Sequence, residues 1–256
     1  MGTTAFIEYL RSVKKRSPST LRQYKSILRE FQRFEPVTES SFRRYLEHIS
    51  SNAPKTQRLK LTVVREYLDW KADRGEIRAE RRFWHEAEAP RAKSLPHYLE
   101  RHEVEALLEA VDDPYWRALF RLLVNTGLRI SELLSLTEKD ISISAGLARI
   151  RVRGKGNKER VIVTSSDVVL DAMREGVFSK KVSARTIQRR LKAYAEKAGI
   201  QKKITPHTLR HTFAILLLES GVPVNTIQAS LGHESLSTTG IYLKIASDSI
   251  RLPKVV

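Results

Sequence analysis

Apolar residues in the first third of the chain recur every three or four positions, which predicts short amphipathic helices. Three of these helices begin at recognisable start signals, with proline at a first turn (Pro18, Pro54) or threonine as an N-cap (Thr38). Gly75 fits the stop of the last one. The apolar positions that define the four helices are Phe6, Tyr9, Leu10 and Val13; Leu21, Tyr24, Ile27, Leu28, Phe31 and Phe34; Phe42, Tyr45, Leu46 and Ile49; and Leu61, Val64 and Leu68.

Helical spacing returns in the second half of the chain, where glycine and proline mark the ends of segments. Pro114 opens one helix, and Gly127 fits the position just after its end. Thr205 is a plausible cap for another helix, with Pro206 at its first position. The helices predicted in this part of the chain span residues 103–111, 114–126, 130–136, 183–199, 206–220, 223–231 and 237–245.

One segment alternates instead of following the helical period. Ala148, Ile150 and Val152 are separated by arginines, and the glycine-rich turn 154–157 leads to a second apolar run at 161–163. Strict alternation followed by a glycine turn predicts a β-hairpin. Its polar face would be arginine throughout, and its tip would carry Lys155.

These patterns predict a mainly α-helical protein with a small β-hairpin or sheet in an α+β second domain. We expect a four-helix domain at residues 1–76, a linker at 77–96 and a larger domain at 97–256. The linker loses clear periodicity and contains two prolines. At 256 residues the chain is long enough for a sizeable core.

The charge of the chain changes this picture, because the formal net charge is +17 and the pI is near 10.2. So large an excess of positive charge indicates a polyanionic partner. The alternative is a charge-rich surface that is merely solvated, but such surfaces usually balance their basic residues with glutamate. Candidate contacts to nucleic acid are the exposed basic positions of the predicted helices, linker and hairpin: Arg22, Lys25, Lys55, Arg58, Arg91, Lys93, Arg151 and Arg153.

Composition also excludes several classes of function. The chain has no cysteine, so disulfides, thiolate catalysis and cysteine-based zinc sites are excluded. No apolar run approaches the ~18 residues of a membrane span. The first residues lack the basic-then-apolar layout of a signal peptide. We therefore expect an intracellular protein with no membrane association.

Candidate chemistry centres on the segment 207–211. His207 and Arg210 are three positions apart, so both project from one side of the helix that starts at Pro206. The N-terminus of that helix adds partial positive charge, and a guanidinium fork engages two phosphate oxygens at once. With Arg129 upstream and Tyr242 downstream, the set suits attack of a tyrosine hydroxyl on a phosphodiester.

This chemistry also needs a proton donor for the leaving group, and each candidate residue has an ordinary structural alternative. A lysine at the hairpin tip, Lys155, is placed to protonate a leaving sugar hydroxyl. His207 and His211 also match half of a zinc-binding helix, although Thr208 replaces the glutamate of that motif and no third ligand is evident. His211 is also typical of a core histidine that supports its neighbours, and Tyr242 alone is typical of packing.

The combined motifs resemble the tyrosine recombinase (phage integrase) family, and most closely its short Xer-type members. The likeness spans nearly the whole chain, because residues 17–24 also resemble that family's N-terminal DNA-binding domain. The matching stretches in the second domain are Asn125–Leu133, Gly154–Arg160, Thr205–Ala214 and Leu231–Tyr242.

The resemblance implies a role for each motif residue. Tyr242 would be the nucleophile, and Glu132 and His211 would support the site. The remaining residues of the implied catalytic shell are Arg129, Lys155, His207, Arg210 and His233. Residues 1–76 would be a SAM-like core-binding domain and residues 97–256 the catalytic domain.

The resemblance also implies an activity, namely a site-specific DNA recombinase that acts through a 3′-phosphotyrosine, without metal, nucleotide or other cofactor. Four protomers would hold two duplexes, each protein being a monomer or dimer without DNA, in a cytoplasmic, nucleoid-associated setting. Two alternatives stay open: relaxation of DNA in the manner of a type IB topoisomerase, and a catalytically idle architectural protein that binds DNA.

Overall fold

The chain folds into two compact units, residues Met1–Ser94 and Leu95–Val256, in a computed structural model. The structure describes residues 2–77, 82–89, 97–154 and 159–232. Several residues of the expected linker at 77–96 lie outside these ranges, so its limits remain a prediction. No helix within the described ranges has the length and apolar character needed to cross a membrane.

Four α-helices form the described part of the first unit, as the periodicity predicts. Ser17 caps the second by accepting from the backbone N–H of Thr20, and Thr38 caps the third by accepting from Ser41. Proline occupies the first turn of the second and fourth helices. Their bounds are α1, Gly2–Ser12; α2, Pro18–Phe31; α3, Glu39–Ser50; and α4, Pro54–Asp73.

The core of the first unit extends into the segment 82–89. Trp84 is fully buried with the apolar faces of the helices, and its indole N–H donates to Asp69 of α4 at 2.9 Å. Arg65, also on α4, donates through Nε to the carbonyl of Trp84 at 2.7 Å. This part of the expected linker is therefore packed against α4.

The second unit contains the remaining helices and the sheet. Asp113 caps α6 through its carboxylate, and Gly127 ends that helix in the left-handed conformation, with φ of 59°. The bounds are α5, Arg101–Glu109; α6, Pro114–Thr126; α7, Ile130–Leu133; β1, Ile141–Ser144; β2, Leu147–Arg153; β3, Glu159–Ser165; α8, Ser166–Arg174; α9, Ala184–Lys197; α10, Pro206–Glu219; and α11, Val224–Leu231.

The sheet of the described residues is antiparallel, in the order β1-β2-β3. Val152 pairs with Arg160, and Arg151 pairs with Val161. Along β2, Ala148, Ile150 and Val152 are buried and the arginines are exposed, as the alternation predicts. The strand β1 was not predicted, because its four residues are too few to show a period and its isoleucines are only partly covered.

Helix α8 was not predicted either. It follows β3 without a break, and its buried residues are Val168, Val169 and Ala172. Helix α6 lies at the centre of the second unit, where it contacts α8, α10 and β3. Because α7 and the turn at Gly127 follow α6 directly, this helix sets the position of Arg129.

Candidate active site

A buried carboxylate, Glu132, lies at the centre of the candidate site. Its side chain is only 4% exposed. Both of its oxygens accept from Arg160, whose Nη1 and Nη2 each lie 2.9 Å away. The backbone N–H and Nη1 of Arg129 also donate to it, each at 2.7 Å. Glu132 therefore ties the start of α7 to strand β3.

The surrounding donors keep Glu132 ionised. Burial alone would raise the pKa of its carboxyl group, because a charge is poorly solvated inside a protein. The hydrogen bonds from Arg160 and Arg129, with the positive charge of Arg160, outweigh burial and lower the pKa of Glu132 to about 2. The carboxylate is thus a fixed negative charge among the arginines.

Arg210 approaches the same carboxylate from helix α10. Its side chain is 1% exposed, and its Nη1 lies 3.9 Å from Oε2 of Glu132. It also donates to the carbonyl of Gly127 at 2.6 Å and to the carbonyl of Leu231. Thr205 accepts from the N–H of Thr208, which fixes the first turn of α10 and hence the direction of Arg210.

The carbonyl that Arg210 contacts depends on glycine at position 127. A Cβ atom there would lie 2.3 Å from the ring of Phe213 on α10, closer than any real contact allows. The positive φ of this residue adds a second reason for glycine. The chain can therefore turn tightly against α10 and present its carbonyl to Arg210.

The structure brings together Arg129, Glu132 and Arg210 among the predicted site residues. Arg129 is 38% exposed, so part of its guanidinium faces outwards. His207 and His211 lie on the first turns of the same helix as Arg210, with ring centroids 4.4 Å apart at 70°. His207 is exposed and His211 is half-buried. The described part of the site is therefore strongly cationic.

Other predicted residues lie outside the described residues or away from this cluster. Lys155, His233, Tyr242, Arg91 and Lys93 are not among the described residues, so their roles stay predictions. The remaining candidate DNA contacts are all exposed in the structure, as such contacts require: Arg22, Lys25, Lys55, Arg58, Arg151 and Arg153.

Arg160 is the residue that the sequence reasoning missed. In the sequence, Arg160 is only the last residue of the matching stretch Gly154–Arg160. In the structure its side chain is 11% exposed and bonds to Glu132. A signal was present, because Arg160 stands two positions before the buried Ile162 and thus shares the inner face of β3. An arginine on the inner face of a strand implies a buried anionic or carbonyl partner.

Replacing Glu132 with glutamine is expected to destabilise the protein at neutral pH, by on the order of 2–3 kcal/mol. The carboxyl pKa is depressed in the folded state, from an ordinary 4.5 to about 2. Its contribution is therefore complete above the ordinary pKa and is lost as pH falls through the folded one. Denaturant unfolding at several pH values should give a shallower acid decline for the variant.

The matched control is Glu138→Gln, since Glu138 is an exposed carboxylate in the same region of the chain. Its unfolding free energy should follow that of the unaltered protein at every pH. If the unfolding free energy of Glu132→Gln fell with decreasing pH as steeply as that of the unaltered protein, the buried ionised carboxylate would be contradicted.

Two family descriptions match the chain. The phage integrase family matches residues 97–248, and the N-terminal SAM-like domain of phage integrases matches residues 3–75. Tyrosine recombinase XerD of Shewanella oneidensis is 33% identical over 94% of this chain and 91% of that protein.

Solved structures of similar fold include two lambda integrase complexes. A lambda integrase dimer bound to a COC′ core site has a TM-score of 0.82 and 18% identity, covering 100% of this chain and 98% of that one. A lambda integrase tetramer bound to a Holliday junction has a TM-score of 0.78 and 19% identity, covering 94% and 76%. These two structures support the mainly helical fold with a small sheet.

Proposed function

The chain belongs to the phage integrase family of tyrosine recombinases, enzymes that cleave and rejoin DNA, and we propose that it is a site-specific DNA recombinase whose nucleophile is Tyr242. Its relatives do not favour the two alternatives, DNA relaxation and an idle architectural protein. Arg129 and Arg210 would bind the scissile phosphate, and His207, His233 and Lys155 would complete the catalytic set.

The observation that carries this proposal is the meeting of Arg129 and Arg210 at Glu132. The two arginines come from segments 81 residues apart, and the fold aims both at one buried carboxylate. With Arg160, three guanidinium groups surround a single negative charge among the described residues. The excess positive charge suits a phosphodiester, whose non-bridging oxygens gain charge as the nucleophile attacks.

The reaction would proceed by two matched exchanges at phosphorus. The hydroxyl of Tyr242 loses its proton to a neighbouring base, and its oxygen bonds to phosphorus. The bond from phosphorus to the 5′ oxygen breaks, and that oxygen takes a proton from Lys155. The product is a 3′-phosphotyrosine diester with a free 5′-hydroxyl. Attack by the 5′-hydroxyl of a partner strand restores the phosphodiester and releases the phenol.

Strand exchange requires two duplexes, so we propose that four protomers assemble on them, from monomers or dimers free in solution. Residues 1–76 would bind DNA and residues 97–256 would carry the chemistry, joined by a linker at 77–96. The exposed basic residues of α2, α4 and β2 are the proposed contacts to the phosphate backbone. We propose that the protein acts on DNA in the cytoplasm.

The decisive experiment traps the covalent intermediate on a library of nicked duplexes. A nick close to the cleaved bond lets the short fragment that carries the new 5′-hydroxyl diffuse away. The covalent adduct therefore accumulates, and its DNA can be sequenced. We expect one DNA sequence to be enriched in the adduct. The adduct yield should be the same with and without EDTA. Absence of any adduct across the library would refute the proposed function, and loss of the adduct in EDTA would indicate a metal-dependent nuclease.

The affinity for duplex DNA is expected to fall steeply as salt concentration rises. Each phosphate neutralised by lysine or arginine releases condensed counterions, so the logarithm of the affinity should decrease linearly with the logarithm of the salt concentration. Removing one exposed contact, as in Arg151→Gln, should reduce that slope by about one. Fluorescence anisotropy across a salt series measures both. A flat response would contradict backbone binding by the basic surface.

A further inference from the structure

Arg160 lies on strand β3 with its side chain turned towards the interior. It pairs across the sheet with the buried Val152, while the next residue, Val161, is exposed. Its guanidinium reaches Glu132 and the end of helix α11. Strand, carboxylate and helix are distant in sequence, so this one side chain joins three segments of the candidate site.

The contact with Glu132 is a two-point fork. Nη1 and Nη2 of Arg160 each donate to a different carboxylate oxygen at 2.9 Å, a geometry that fixes the plane of the carboxylate. Arg129 bonds to the same two oxygens through its side chain and its backbone N–H. The orientation of Arg129 is therefore set through Glu132 by Arg160.

The second contact is with the last turn of α11. Nε of Arg160 donates to the carbonyl of Ser230 at 2.8 Å, and Arg210 donates to the next carbonyl, that of Leu231. The N–H of Gly232 satisfies the two carbonyls before them. All four terminal carbonyls of α11 thus have donors, two of them cationic, which suits the negative end of a helix.

Glycine at position 232 permits this arrangement. A Cβ atom there would lie 3.1 Å from Cδ of Arg160, and the residue has a φ of 64°. The Arg160 side chain therefore packs directly against the point at which the chain leaves α11. The next residue in the sequence is His233, a proposed catalytic residue.

Charge gives Arg160 a further effect on the site. Without it, Glu132 would remain buried, with Arg129 bonded to it and Arg210 at 3.9 Å. Its negative charge would then act on those two arginines alone and weaken their field at the phosphate. With Arg160 present, much of that charge is neutralised from the side of the sheet.

We propose that Arg160 is a positioning residue for DNA cleavage, which holds Arg129 through Glu132 and holds the C-terminal end of α11 through Ser230. The inference rests on the proposed function, since it assigns Arg129 to the scissile phosphate. Arg160 acts through these neighbours and is not itself proposed to touch the DNA.

The test compares single-turnover adduct formation by Arg160→Gln, Arg160→Lys and the unaltered protein, on a nicked duplex recovered from the library. We expect the rate constant to fall about 100-fold for glutamine and about 10-fold for lysine, because lysine keeps the charge but not the fork. The final adduct yield and the DNA affinity should stay close to those of the unaltered protein. The matched control is Arg174→Gln, an exposed arginine that also pairs with carboxylates.

Rate and yield separate positioning from mere stability. If Arg160 served only folding, its variants would give less adduct at an unchanged rate constant, and that result would overturn the proposal. An unaltered rate for Arg160→Gln would overturn it equally. Should the glutamine variant fail to fold, the lysine variant carries the test, and a rate equal to that of the unaltered protein would count against the proposal.

Amide hydrogen exchange on the DNA-free protein tests the same contacts without any activity. We expect faster exchange in Arg160→Gln at residues 127–133 and 224–232, and no change in Arg174→Gln. Unchanged exchange in both segments would overturn the positioning role even if cleavage were slow. If the unaltered protein formed no adduct on any DNA, the proposed function would fail, while exchange would still decide whether Arg160 holds these segments.

Discussion

Replacement of Tyr242 by phenylalanine is expected to abolish the covalent protein–DNA adduct while leaving duplex binding intact. The change removes only the phenolic oxygen, which is the proposed nucleophile, and keeps the ring. Binding of the phosphate is proposed to depend on Arg129 and Arg210, whose positions are fixed by contacts with Glu132 and Gly127. Denaturing gels with the trapped nicked duplex measure the adduct, and anisotropy under the same conditions measures binding.

The control for this prediction is Tyr98→Phe, the same chemical change at a partly buried tyrosine of the same unit. It should form the adduct at the ordinary rate. A persistent adduct with the Tyr242→Phe variant would place the nucleophile on another residue. Loss of DNA binding along with the adduct would instead show that the tyrosine is needed for affinity.

Replacement of Arg210 by alanine is expected to slow cleavage by about 1,000-fold, because the proposed cationic donor to the phosphate is removed. The same change leaves the buried carbonyls of Gly127 and Leu231 without this donor, which costs on the order of 1–3 kcal/mol each. Cleavage should therefore be measured at saturating DNA in single turnover, together with denaturant unfolding of the same preparation.

Two comparisons give this prediction its contrast. Arg210→Lys keeps a charge but cannot span both carbonyls and the proposed phosphate position, so its cleavage rate should lie between those of the alanine variant and the unaltered protein. His233→Ala should slow cleavage less than Arg210→Ala, because a single positioning donor is easier to replace than a guanidinium fork. A larger loss for His233→Ala than for Arg210→Ala would refute this division of roles.

Local signals made the helices of the first unit predictable. Proline at the first turn of α2 and α4 and the threonine cap of α3 are short-range features, and the structure confirms each of them. The glycine stop after α6 is equally local, and Gly127 adopts the expected left-handed conformation. Such elements could be predicted because the residues that begin and end them lie within a few positions.

The strand β1 and the helix α8 were missed for a different reason. Ile141 and Ile143 gain their partners only by pairing with β2, and four residues are too few to show a period. Helix α8 buries a small set of residues against α6 and the sheet, and α6 is distant from it in sequence. Tertiary contacts stabilise both elements, and the periodicity of the sequence does not reveal such contacts.

In the candidate site, too, features set by neighbouring residues could be predicted, whereas features that depend on residues distant in sequence could not. The spacing of His207 and Arg210 places them on one helix, and motif likeness drew attention to Arg129 and Tyr242. The ionised state of Glu132 and the fork of Arg160 arise from residues 28 positions apart. Nothing in a linear pattern states that one carboxylate will be enclosed by three arginines.

Strand β2 divides its residues between two independent tasks. Its inward side chains, Ala148, Ile150 and Val152, belong to the core, whereas the arginines between them meet only the exterior. The outer row can therefore be redesigned to strengthen or weaken its proposed contact with DNA without rebuilding the interior. The same strand would tolerate evolutionary changes in the proposed DNA affinity at little cost to its own folding.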